Sequence, residues 1–180
     1  VNLWLSYEQL SISSFPEEEV TMSLRTPVGS DHQLARLLQI GIVLEEVVEA
    51  RAAKHAAETE DLDDETKELL EEAATESADH RQRLEELVAE LDAETIGFEE
   101  IQRLVEEQYE ADQDFDGVLY DQLCNEETAY KFYDDLIEAI EETDTAFSID
   151  REHVLSTLRE LRAEEKEGVE EVTELMERRD

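Results

Sequence analysis

Four side chains in this sequence combine a chemistry-bearing type with an inward position. Glu45, Glu126 and Glu165 each fall on the apolar stripe of a helical pattern, near its middle, and His80 falls on a fourth. Glu76 lies one turn before His80, so the two can address one spot on the same helix. A bare carboxylate in an apolar core is costly, and it persists there when it is paired, protonated, hydrated or bound to a metal. Carboxylates joined by an imidazole suit first-row metals such as iron, manganese or zinc.

The elements that must carry these groups are legible from period. Apolar residues recur at alternating steps of three and four, the mark of one helical face. The first pattern spans about residues 31–58, with Asp31 as its expected N-cap and a stripe of Leu34, Leu38, Gly41, Glu45, Val48 and Ala52. The second spans about residues 64–91, with Leu70, Ala73, Ser77, His80, Leu84 and Leu87. The third, about residues 118–142, aligns Leu119, Leu123, Glu126, Ala129, Tyr133, Leu136 and Ile140. The fourth, about residues 150–178, aligns Val154, Leu158, Leu161, Glu165, Gly168, Val172 and Leu175.

Between the second and third patterns lies a long connection with a shorter amphipathic stretch, about residues 98–111. The DQDFDG segment after it has turn chemistry, and it lacks the position-twelve glutamate of a calcium loop. Connections in the order short, long, short give two hairpins joined by one crossover. The expected fold is therefore all-α, a ferritin-like four-helix bundle with one long crossover carrying a short extra helix. Residues 1–30 hold both prolines, many serines and Trp4, and read as a poorly ordered N-terminal arm ahead of a bundle over residues 31–180.

The residues around these glutamates carry a resemblance. The segment NEETAYKFYDDL, with Glu126, Ala129 and Tyr133 in sequence, resembles the glutamate-bearing helix of rubrerythrin-type proteins in the ferritin-like superfamily. LRELRAEEKEGVEEVTEL is similar to the partner helix that carries Glu-x-x-His there, with Glu165 at the glutamate. ATESADHRQRLEEL resembles the same element in a first half, with His80 at the histidine, and GIVLEEVVEARAA resembles the opening helix, with Glu45 as the ligand. The resemblance covers residues 31–91 and 118–178 and implies two halves of an internal repeat around a metal centre. It also implies iron or manganese, as a pair or a single ion, and chemistry with peroxide or dioxygen. The expected metal ligands are Glu45, Glu76, His80, Glu126 and Glu165. Two positions depart from the pattern: Ser77 stands where a glutamate is expected and Gly168 where a histidine is expected. The alternative is a scaffold that has lost its di-iron site and serves as a structural or interaction module, its inward glutamates hydrated or paired with Arg51, Arg81 or Arg162. There are no C-x-x-C pairs for a rubredoxin-like iron domain.

Charge narrows the setting. Asp plus Glu number 52 against 15 Lys plus Arg, a formal net charge of −37, and only Lys54, Lys67, Lys131 and Lys166 are lysines. Such a surface repels itself in dilute buffer and is relieved at molar salt, where the Debye length falls to about 3 Å. The composition reads as adaptation to a salt-rich cytoplasm, with a nucleic-acid mimic or a partner of basic proteins as rivals. No basic patch exists to neutralise phosphates, so direct nucleic-acid binding is not expected. No apolar run approaches the ~18 residues of a membrane span, nor does the start of the chain read as a secretory signal. The lone Cys124 fits a reducing interior and reads as a small buried hydrophobe. Apolar residues on the crossover helix could support a homodimer. His32, His55 and His153 read as surface residues near helix ends.

Overall fold

The computed structural model describes residues 27–95, 97, 100, 103 and 117–179. Among the described residues, four helices are given in full: α1 (Asp31–Glu58), α2 (Asp64–Glu90), α3 (Val118–Glu141) and α4 (Arg151–Glu177). They form an all-α bundle, and no strand occurs among the described residues. The segment expected to form the short crossover helix and the DQDFDG turn lie largely outside the described residues, as do residues 1–26 of the expected arm.

Capping fixes where the helices begin. Ser30, not Asp31, caps α1, its side chain accepting from the Gln33 amide. Asp31 reaches across instead to accept from the Ser148 amide at 3.0 Å. Asp63 caps α2 by accepting from Thr66 N, and Asp150 caps α4 by accepting from His153 N. These side chains satisfy amides that the first helical turn leaves without partners. Gly117 precedes α3 at φ +124°, a backbone state that excludes most side chains.

Contacts between helix ends establish the directions. At one end Val28 N donates to Ala139 O, and Asp92 N donates to the Ser148 hydroxyl. At the other, Arg179 pairs with Asp63, Arg178 with Glu65, and His55 with Asp121. Thus α1 and α4 run one way and α2 and α3 the other, with α1 packed along α2 and α3 along α4 as antiparallel pairs.

The interior is layered along this axis. A large apolar cluster fills the first end, from Leu34, Leu38 and Ile42 of α1 to Leu84 and Leu87 of α2, Phe132, Leu136 and Ile140 of α3, and Val154, Leu158 and Leu161 of α4. A smaller one, Ala52, Ala56, Leu70 and Ala73, sits toward the other end. Gly41 permits close approach beneath the first cluster: a methyl group there would lie 2.9 Å from Phe132 Cε1 and 3.0 Å from Leu84 Cδ1. An apolar cluster drawn from all four helices on one side, and a smaller one between α1 and α2 on the other, thus flank a buried polar layer.

One expected stripe is displaced. At the start of α3, Leu119 and Leu123 are half-buried, while Gln122 and Asn125 turn inward and are buried. The reason is the polar environment that these two residues enter, described next. Among the described residues, no helix is long and apolar enough to cross a membrane.

Candidate metal centre

Each helix contributes a buried acid or imidazole to the middle layer: Glu45 from α1, His80 from α2, Glu126 from α3 and Glu165 from α4. They are inward because they occupy core positions of their helices. On α2 the buried face is Leu70, Ala73, Ser77, His80, Leu84 and Leu87 after the capping-turn Thr66.

His80 organises the layer. Its Nδ1 lies 2.8 Å from Glu165 Oε1 and 3.4 Å from Glu45 Oε1. Its Nε2 lies 2.8 Å from Glu164 Oε2 and 3.7 Å from Glu76 Oε1. The ring therefore stands between an inner set of carboxylates and an outer one. Burial disfavours charge on the imidazole, but hydrogen bonds and charge from Glu165 and Glu45 outweigh it and raise the His80 pKa to about 11.

The inner carboxylates are each held. The phenol of Tyr133, itself fully buried, donates to Glu45 Oε1 in a short hydrogen bond. Glu45 Oε2 is buried and has no partner. The Gln122 amide donates to Glu126 Oε1. The carboxyl groups of Glu126 and Glu165 lie beside each other. Burial pushes the pKa of both upward; neighbouring Glu45 adds to this at each, and their hydrogen bonds act against it.

The outer set is wetter. Glu164 is gripped by Arg83 through both guanidinium Nη atoms. The Glu164 pKa is lowered: burial opposes the shift, and Arg83 and His80 override it. Glu76 is 44% exposed; partial burial raises its pKa to about 7, with His80 opposing. The same side chain makes no contribution to the inner group.

Among the described residues, two sets of three possible donors are clustered at ion-binding spacing, and both include His80. Ligand atoms of Glu45, His80 and Glu165, all buried, lie within 4.8 Å of one another, and so do those of Glu76, His80 and Glu164 at the surface side. Glu126 touches Glu165 but belongs to neither set. At the two departures from the ligand pattern, Ser77 is buried and small. At Gly168 a methyl group would come within 2.8 Å of Glu126 Cδ, so the Glu126 carboxyl fills the space that a side chain at 168 would need.

A second polar cluster lies between this layer and the far end. Arg51, 2% exposed, donates to Asn125 Oδ1 at 3.4 Å and faces Asp121 Oδ1 at 3.7 Å, while His55 Nε2 is 3.0 Å from Asp121 Oδ2. His55 is thus buried, contrary to its expected place at the surface. His32 is exposed and His153 half-exposed beside Glu90. Arg81 pairs with Glu46, Glu49 and Glu85, and Arg162 with Asp134. These arginines therefore serve outer acids. Cys124 is only half-buried.

Sequence reasoning missed Glu164, Gln122 and Arg83 around this site. Glu164 could not be told from Glu165 within AEEKE, and Gln122 showed only as a polar residue one turn before Glu126. No described protein family, curated protein or solved structure matches the chain.

Proposed function

We propose that this chain is a ferritin-like metal-binding protein whose centre is the buried layer of Glu45, His80 and Glu165, with Glu126 beside it. One observation carries the reading: donor atoms from three different helices lie within 4.8 Å of one another in the buried interior, between two apolar clusters. Two acids and one imidazole form a hard, oxygen-rich donor set that suits iron(II) or manganese(II). Bound there, such an ion would supply electrons to peroxide or dioxygen. The chain's own part is to orient Glu45 through Tyr133, to hold Glu165 through His80, and to keep water out with the apolar clusters on either side. The crossover of the ferritin-like arrangement would be supplied by residues 91–117, which lead from the end of the bundle where α2 stops to the end where α3 begins.

The test is metal analysis of protein purified in molar salt, with thermal unfolding before and after chelation. Stoichiometric iron or manganese, and a Tm that falls on chelation, are expected. A metal-free preparation whose Tm is indifferent to added iron(II) or manganese(II) would refute the proposal.

A second reading is favoured by one specific observation: both ring nitrogens of His80 already face carboxylates. In that reading the layer is a self-satisfied polar core of a structural or interaction module. It predicts unchanged stability with either metal, so the same experiment separates the two.

A further inference from the structure

We infer that the buried centre takes one divalent cation, held by Glu45, His80 and Glu165, and has no place for a second. This rests on the metal-binding reading above. A two-metal carboxylate bundle draws one glutamate from each of two helices and Glu-x-x-His from each of the other two, six protein ligands in all. Here the two Glu-x-x-His positions hold Ser77 with His80 and Glu165 with Gly168, so each half retains only one of its two donors.

Geometry closes the vacancies that such losses would leave. Residue 168 has no side-chain space, because Glu126 occupies it, with Cδ 2.8 Å from where a Cβ would stand. Glu126 is kept in that place by the Gln122 amide. At residue 77 the hydroxyl of a buried serine replaces a carboxylate, and the nearest acid, Glu76, turns to the outer side of His80.

What remains is suited to a single ion. The donor atoms of Glu45, His80 and Glu165 come from three helices and all lie within 4.8 Å of one another. Ions of this class bind oxygen and nitrogen at about 2.0–2.2 Å, so a point between donors so spaced can reach all three with small side-chain adjustments. Independently, Glu45 is fully buried and its Oε2 has no hydrogen-bond partner. Buried carboxylate oxygens are rarely left in that state, and a cation between the three side chains would satisfy this one.

Stoichiometry tests the inference. Chelated, full-length protein in molar salt is titrated with manganese(II), following bound and free ion by electron paramagnetic resonance, alongside Glu45→Gln and His80→Gln. The expected result is one ion per chain with an uncoupled single-ion spectrum, and at least a tenfold loss of affinity in Glu45→Gln, whose helicity is checked by circular dichroism. Two ions per chain with an exchange-coupled spectrum would overturn the single-ion inference and leave the metal-binding reading standing. One ion bound equally well by both variants would place it on the acidic surface and overturn the inference. No binding to the wild-type chain would overturn the metal-binding reading itself, and the inference with it.

Discussion

The phenol of Tyr133 on α3 donates a hydrogen bond to Oε1 of Glu45 on α1, across the centre of the bundle. Both residues are fully buried, so the bond has no water to replace it. Tyr133→Phe keeps the ring and deletes the donor. Leaving a buried acceptor short of its partner costs about 1–3 kcal/mol. Urea unfolding of the metal-free protein is expected to show that loss, and added manganese(II) is expected to shrink it, because the cation takes over the burden of Glu45. A variant as stable as the wild type would show that the bond contributes nothing.

Gly168 and Glu126 should be energetically coupled. On an unobstructed helix Gly→Ala stabilises by about 1 kcal/mol. At residue 168 the new methyl group meets Glu126, which is held by Gln122. Gly168→Ala alone is therefore expected to be neutral or destabilising, while in a Glu126→Ala background it stabilises by about 1 kcal/mol. Equal effects in the two backgrounds would contradict the packing described.

The second cluster makes its own prediction. Arg51 is buried against Asp121 and Asn125. Arg51→Met takes a buried guanidinium away from Asp121 and is expected to cost about 3 kcal/mol, the scale for breaking one side of a buried pair. Arg51→Met combined with Asp121→Leu removes both charges and should recover most of the loss. Additive losses in the double variant, measured by chemical denaturation, would argue against a coupled pair.

The acidic surface predicts a strong response to salt. With a net charge of −37, self-repulsion far exceeds what the exposed ion pairs can return. Raising potassium chloride from 0.1 to 2 M should lift Tm by roughly 10 °C, equivalent to ~3 kcal/mol at this chain length. A Tm that is flat or falls with salt would remove the basis for reading the composition as an adaptation to a salt-rich interior.

These relationships divide into those that periodicity reveals and those that it does not. The inward face of α2 was legible residue by residue, because a stripe of Leu70, Ala73, Ser77, His80, Leu84 and Leu87 has one register only. In α4 the glutamate-rich stretch allowed several registers, and Glu164, which binds His80 from the outer side, was hidden beside Glu165. The start of α3 misled for a different reason. Leu119 and Leu123 have the right spacing for the core, yet Gln122 and Asn125 are buried because Glu126 and Arg51 supply them with partners from that side. His55 was read as exposed because its partner, Asp121, lies 66 positions away on another helix. Sequence pattern assigns a face to a residue, and does not say what stands opposite. The loss of a histidine at Gly168 was visible in the sequence; that Glu126 fills the gap follows only from the packing of α3 against α4.

The central claim is that Glu45, His80 and Glu165 form a cation site. The most direct measurement is anomalous X-ray diffraction from crystals grown in manganese(II) and molar salt, recorded near the manganese edge. The account predicts one strong peak between these three side chains, with ligand distances of about 2.0–2.3 Å. An absence of anomalous density in the buried layer, with the manganese confined to surface carboxylates, would contradict it.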